Sequence, residues 1–271
     1  MLAKYNTGTG GRWAWNGYFL PPSFSLMQLL DVPRGSLIPL LEGIVTVEPA
    51  MGTLLAPLDE MQEVWASGVT YLRSREARKA ESATGDIYER VYDAERPELF
   101  FKAAGWRVVA PGAWIRVRGD SHWNVPEPEL TLVLNRFGEI VGYTAGNDVS
   151  SRDIEGANPL YLPQAKVYNG SCALGGAICL VSSPDQLLDL QITLQIWRDG
   201  RNIYSGETNT SQMKRGFGEL ADYLFRELAF PHGAFLMTGT GIVPGDGFSL
   251  VPGDTVRVRV GEIMLENPVG S

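Results

Sequence analysis

Histidine is almost absent from this chain: His122 and His232 are the only imidazoles in 271 residues. That is too few for a typical zinc cluster, and His232, directly behind a proline, reads as a loop residue. Cysteine is as scarce. Cys172 and Cys179 share one apolar stretch with no second pair, which excludes a disulfide framework or a cysteine zinc site and leaves two buried free thiols. Basic residues are outnumbered, 23 Lys and Arg against 31 Asp and Glu, for a formal net charge of -8. With no Lys/Arg-rich stretch to offset that balance, a phosphate backbone is repelled and nucleic acid is not an expected partner. No apolar run approaches the length of a membrane span, so no membrane partner is expected. The opening MLAKYNTGTGGRWAWNGYFLPP lacks the basic segment and continuous apolar core of a secretory signal, and the expectation is a cytoplasmic protein. There is no GxSxG elbow, Walker loop or GxGxxG after a strand, and no internal repeat or low-complexity tract.

What is present is ordinary globular material, 44% hydrophobic and 20% charged. The stretch to about Pro57 is rich in Gly, Pro and short apolar runs such as SLIPLLEGIV and shows no long helical period, so it reads as loop-rich. From Glu63 onward, β-branched and aromatic residues arrive in runs bounded by turn residues. Strands are expected at WRVVA from Trp106, WIRVR from Trp114, ELTLVLN from Glu129, EIVGYTA from Glu139, LQITLQIW from Leu190 and TVRVRV from Thr255. RFGE supplies a tight turn at Gly138, predicting a hairpin over residues 129 to 145. Two covering helices are expected, SREARKAES from Ser74 and KRGFGELADYLFREL from Lys214, the second placing Phe217, Leu220, Leu224 and Leu228 on one face. The class is α+β, dominated by β structure.

The segment Asn124-Val125-Pro126-Glu127-Pro128-Glu129 carries the strongest chemical signal. Prolines hold the backbone extended, and carboxylates at i and i+2 then project from the same side. Like charges forced together call for a cation, and hard oxygen ligands at this spacing suit magnesium, manganese or calcium. The bland alternative is a pair of carboxylates keeping a strand edge soluble. The hairpin shifts that balance, because it ends in GNDVSSRD and returns Asp148 toward the pair. Arg152 and Asp153 follow at once, either as a local ion pair or with Arg152 as a substrate contact. Lys166 lies in an apolar stretch and either snorkels to solvent or pairs with carboxylates. Thr240, between Gly239 and Gly241, offers exposed backbone to a substrate carboxylate or makes a plain turn.

PEPELTLVLN, GNDVSSRD, QAKVYNGSCALG and TGTG, in that order, resemble the fumarylacetoacetate hydrolase superfamily from about Glu63 to the C-terminus. The resemblance implies a mixed β-roll catalytic domain over residues 63–271, a small N-terminal domain over 1–62, and a homodimer or homotetramer. It also implies that Glu127, Glu129 and Asp148 hold Mg2+, that Lys166 stands beside the metal, and that Thr240 binds the carboxylate of a 2-oxo acid.

Superfamily members that cleave carbon-carbon bonds carry a G-x-N-Y-x-x-H-x-x-E segment whose His and Glu activate water. Here Gly68 to Ala77 occupies that place, with Ser74 for the His and Ala77 for the Glu. GVTYLRSREAR, PELFFKAAGWRVV and SHWNVPEPEL look most like the 2-keto-3-deoxypentonate (2-keto-3-deoxyarabinonate) dehydratase branch. That branch removes water from a sugar acid to give 2,5-dioxopentanoate, by way of a metal-stabilised enolate and with no attacking water. Lys166 is then either the base or a charge stabilising the enolate. Ser74, Arg75 and Glu76 either contact substrate and carry protons or form a helix start with Ser74 as its cap. Two other functions stay open: a hydrolase of acylpyruvates or decarboxylase of oxaloacetate within the superfamily, and a metal-binding homologue without activity.

Overall fold

The strand Pro128–Leu134 is buried along its whole length and lies inside a mixed sheet of eleven strands. The computed structural model describes residues 1–8, 10–73, 90–245 and 247–271. Pro128–Leu134 pairs antiparallel with Ile140–Asp148 on one side and with Ala234–Met237 on the other. Ala234–Met237 runs parallel to Glu63–Gly68, which pairs in turn with Glu98–Ala104. Beyond Ile140–Asp148 stand Ala177–Leu180 and then Leu2–Asn6, so the N-terminal strand is part of the same sheet. A second sheet of five strands runs in the order Arg201–Asn209, Gln191–Arg198, Thr255–Val260, Ile263–Gly270 and Ile115–Arg116.

Alternation along Pro128–Leu134 explains why both faces are covered. Leu130, Leu132 and Leu134 point into a core shared with Ile192, Leu194, Val256 and Val258 of the five-stranded sheet. Val133 and Val141 point the other way, into a core shared with Trp13, Leu26, Leu37 and Leu41 of the N-terminal region. A strand apolar on both faces needs a layer on each. Each such side chain contributes about 1.5–3 kcal/mol by leaving water. The hairpin forms where the sequence places it, with the turn between Leu134 and Ile140 closed by Gly138 at φ 76°.

Several elements depart from the sequence reading. WRVVA is not a strand: Gly105–Arg107 is a 3-10 turn, and Val109 makes an isolated bridge to Ala173. Only Ile115–Arg116 of WIRVR is strand. Both segments begin with an exposed tryptophan, Trp106 at 63% and Trp114 at 61%, so the aromatic signal had no buried face behind it. The helix expected from Lys214 is Phe217–Phe225, because Lys214 and Arg215 are engaged with Asp93 and with backbone carbonyls near residue 91. Phe217, Leu220 and Leu224 are buried as expected, whereas Leu228 lies beyond the helix and is exposed. The N-terminal region holds an unforeseen helix, Arg34–Ile44, whose internal Pro39 and near-continuous apolar run hid its period. Cys172 is buried, but Cys179 is only half-buried. SREARKAES lies outside the described residues.

Leu132→Ala should lower stability by about 2–5 kcal/mol in urea unfolding, because Leu132 is wholly enclosed between the two layers. A loss below about 1 kcal/mol would show that the core can collapse there. Burial pushes the Cys172 thiol up to about 12. In the folded protein it should resist iodoacetamide at mildly alkaline pH and react only after denaturation, as read by peptide mass spectrometry.

Candidate active site

Strand direction assembles the site. Pro128–Leu134 and Ile140–Asp148 are antiparallel, so the start of the first meets the end of the second, and Gly146 lies opposite Glu129. The Asp148 N–H donates to the Glu127 carbonyl at 2.9 Å, continuing the pairing to the second glutamate. Ala234–Met237 is also antiparallel to the Glu129 strand, so the chain leaving it delivers Gly239 to the same end. The Gly239 N–H donates to Glu129 Oε2 at 2.6 Å. One oxygen from each of Glu127, Glu129 and Asp148 lies within 4.8 Å of the other two, and all three residues are buried.

Among the described residues, three cations converge on these carboxylates. Lys166, at the end of the short helix Leu162–Lys166, donates to Glu127 Oε2 at 2.8 Å and to Asp148 Oδ2 at 2.9 Å. Arg152 donates from Nη2 to Glu127 Oε1 at 3.0 Å. Lys102, from the strand Glu98–Ala104, is ion-paired with Asp148 Oδ1 and also donates to the Val149 carbonyl at 3.1 Å. Burial pushes Glu129 well above the usual carboxylate range, and the charges of Asp148 and Glu127 push it further. Of the three carboxylates, Glu129 has no direct ion pair with these cations among the described contacts, and a divalent cation would relieve it. Buried oxygens in close array, with a raised carboxyl among them, fit Mg2+.

Glu127 and Asp148 open onto a narrow cleft lined also by Ser67, Gly68, Val69, Glu98, Phe100, Glu155, Lys166, Gly239 and Thr240. One wall is strained. Val69, a β-branched residue, has φ 53°, in the left-handed region that such side chains avoid. Its neighbours hold it there, since Ser67 Oγ donates to the Met237 carbonyl at 2.9 Å and Thr70 Oγ1 to the Thr238 carbonyl at 2.6 Å. Gly239 has φ 88°, and a Cβ there would stand 2.1 Å from Thr70 Oγ1. Tyr71 lies buried behind this loop, and burial together with the Glu129 charge raises its hydroxyl pKa.

Glu127, Glu129, Asp148, Lys166, Arg152, Gly239 and Thr240 are thus gathered at one place. Two of them engage the carboxylates directly. Arg152 reaches Glu127, and the Gly239 N–H is directed at Glu129. The Thr240 hydroxyl accepts from the Ile242 N–H at 3.1 Å while its residue lines the cleft. Asp153 does not pair with Arg152: it accepts from the His122 N–H at 2.7 Å and from the Ser121 hydroxyl. His122 itself is exposed. Ser74, Arg75 and Glu76 lie outside the described residues. Lys102, Glu98 and Glu155 were not anticipated. For Lys102 a signal existed, because a lone lysine inside ELFFKAA has the same character that drew attention to Lys166.

The profile for the C-terminal region of fumarylacetoacetate (FAA) hydrolase matches residues 63–270. A protein of Haloferax volcanii described as a probable 2-keto-3-deoxyxylonate dehydratase is 52% identical over 204 residues, 75% of this chain and 70% of that one. The 2-dehydro-3-deoxy-D-arabinonate dehydratase of Saccharolobus solfataricus is 46% identical over 211 residues, 76% of this chain and 70% of that one. Among solved structures, a 2-keto-3-deoxy-D-arabinonate dehydratase complexed with magnesium and 2,5-dioxopentanoate superposes with a TM-score of 0.83. It is 36% identical, and the superposition covers 99% of this chain and 98% of that chain. With its β-dominated mixed sheets and its buried carboxylate cluster at the matched positions, the chain belongs to the fumarylacetoacetate hydrolase family.

Proposed function

We propose that this protein is a magnesium-dependent dehydratase that converts a 2-keto-3-deoxypentonate to 2,5-dioxopentanoate. The observation that carries this reading is the buried set of Glu127, Glu129 and Asp148 with Lys166 between two of them, in a chain about half identical to named dehydratases of such sugar acids. The three carboxylates would hold Mg2+, which when bound withdraws electron density from the 2-oxo acid and makes its C3 protons more acidic.

The protein's own groups do the rest. The Lys166 ammonium, fixed by two carboxylates, offsets negative charge that develops on the C2 oxygen as a C3 proton leaves. Arg152 and Lys102 hold Glu127 and Asp148 in place. Thr240 and the backbone around it form the wall assigned to the substrate carboxylate. Departure of the C4 hydroxyl then needs no water nucleophile, in keeping with Ser74 and Ala77 where hydrolytic relatives have His and Glu. Neither histidine lines the cleft among the described residues. The same reading takes residues 1–62 as a small domain beside a catalytic domain of 63–271. It also takes the enzyme as a cytoplasmic homodimer or homotetramer. No helix among the described residues is long and apolar enough to cross a membrane.

The direct test supplies Mg2+ and a panel of 2-keto-3-deoxypentonates alongside acylpyruvates. Aldehyde should form from the sugar acids, and acylpyruvates should be cleaved poorly or not at all. Release of pyruvate with no dehydration would assign the hydrolase instead. EDTA should abolish turnover and Mg2+ or Mn2+ should restore it, so full activity in metal-free enzyme would remove the cation from the reaction. Glu129→Gln keeps the side-chain shape and should weaken Mg2+ binding at least about tenfold by calorimetry while the fold persists. Lys166→Met should still bind metal but turn over at least about 100-fold more slowly. An active Lys166→Met enzyme would reduce this lysine to a structural counter-ion.

A further inference from the structure

We propose that Arg215 is a positioning residue for the dehydration: from outside the cleft it fixes the two chain segments that bring residues 67 to 69 and Glu98 into the cleft wall. This rests on the dehydratase reading. The strands Glu63–Gly68 and Glu98–Ala104 pair antiparallel, and Gly68 opposite Glu98 is the last pair of their ladder. Both residues line the cleft, as does Val69. Past that pair the two chains no longer hold each other. Val69 nevertheless sits at φ 53°, where a β-branched residue stays only under constraint from its surroundings.

Residues 213 to 215 tie down both chains. Toward the first, the Lys214 N–H donates to the Thr70 carbonyl at 2.9 Å, and Met213 makes an isolated bridge with Tyr71. Toward the second, residues 90–93 are helical, and Arg215 closes the end of that turn. Its Nη2 donates to the carbonyls of Val91 at 3.0 Å and Ala94 at 2.5 Å, and its Nη1 to the carbonyl of Glu95 at 3.1 Å. The last carbonyls of a helix lack partners within it, and a guanidinium there meets both their need for donors and the negative end of the helix dipole. Nη1 also donates to Glu219 Oε1 at 2.6 Å, which braces the fork against the helix Phe217–Phe225.

Arg215 is 8% exposed, so this set of bonds is made out of water, where it is hardest to replace. The Lys214 side chain does less, since its pair with Asp93 is exposed to solvent. Only Arg96 and Pro97 separate Glu95 from Glu98, and Pro97 is buried with its φ fixed by the ring. The anchor at the Glu95 carbonyl is therefore passed over a short, stiff link to the cleft wall. A displacement of about 1 Å there costs up to about 100-fold in rate.

The test reads position as well as rate. By hydrogen–deuterium exchange, Arg215→Ala should exchange faster than wild type over residues 67 to 71 and 91 to 98, with the segments carrying Glu127, Glu129 and Asp148 unchanged. Its kcat should fall by about 10- to 100-fold with KM within about threefold and Mg2+ affinity within about twofold of wild type, because the metal end of the substrate is still held while the wall along its carbon chain shifts. Guanidinium at millimolar, non-denaturing concentration should restore part of that kcat and leave wild type unaltered. Wild-type kcat in Arg215→Ala, or unchanged exchange at both walls, overturns the proposal. Faster exchange that spreads to the carboxylate segments with loss of Mg2+ binding also overturns it, by making Arg215 a general prop of the fold. If Arg215→Ala does not fold, Arg215→Lys decides, since it keeps the charge but not the planar fork. It should show the same local exchange with a smaller loss of kcat, and unchanged exchange and kcat overturn the proposal. A wild-type enzyme that dehydrates no 2-keto-3-deoxypentonate would sink the function proposed above, while the exchange pattern of Arg215→Ala would still decide whether Arg215 is the anchor.

Discussion

Three carboxylates brought together out of water set the terms for everything around them. Glu127, Glu129 and Asp148 are each under 5% exposed. Each would repel the others and resist losing its hydration, and the elevated Glu129 records that conflict. The protein answers with Lys102, Lys166 and Arg152, each from a different element of structure and each almost fully buried itself. Removing a partner from such a cluster typically costs about 3–5 kcal/mol, because the charge left behind has no water to turn to. The three cations therefore work less as stabilising extras than as a condition for the cluster to exist. A divalent cation held by the three carboxylates would offset their charge where an anionic 2-oxo acid approaches, which suits a substrate whose charge moves toward its C2 oxygen during reaction.

The sheet supplies the rigidity this cluster needs. Pro128–Leu134 and Ile140–Asp148 are buried on both faces, with the five-stranded sheet on one side and the N-terminal region on the other. Their ends have little freedom, so the carboxylates at those ends are held in a fixed arrangement. The segment from Ser67 to Tyr71 is tied to the backbone after Met237, and the positive φ of Val69 is kept by that tie. Strain of this kind persists only where surrounding contacts over-determine it, and here it borders the cleft.

The residues that were missed share one trait. Lys102 and Glu155 are polar groups whose meaning depends on a partner distant in sequence: Lys102 meets Asp148 46 positions on, and Glu155 meets a cleft whose walls include residues 67 to 69, Glu98, Phe100, Gly239 and Thr240. Local spacing reports the face a side chain occupies but not what stands opposite. Trp106 and Trp114 erred in the reverse sense, since aromatic and β-branched residues favour strands only where a layer covers them, and both indoles face solvent.

Sequence alone determined the central hairpin, because alternating apolar residues around Gly138 admit one register with both faces buried. It also brought the three carboxylates together, since Glu-x-Glu on extended backbone and an Asp at the far end of the same hairpin meet once that register forms. The scarcity of histidine and the Ser74 and Ala77 substitutions narrowed the chemistry before any coordinates. Tertiary structure decided which cations answer the carboxylates, that Arg152 faces Glu127, that Gly239 donates to Glu129, and that Glu155 enters the cleft. Those choices depend on how separate elements dock, and docking is set by cores built from residues far apart in the chain.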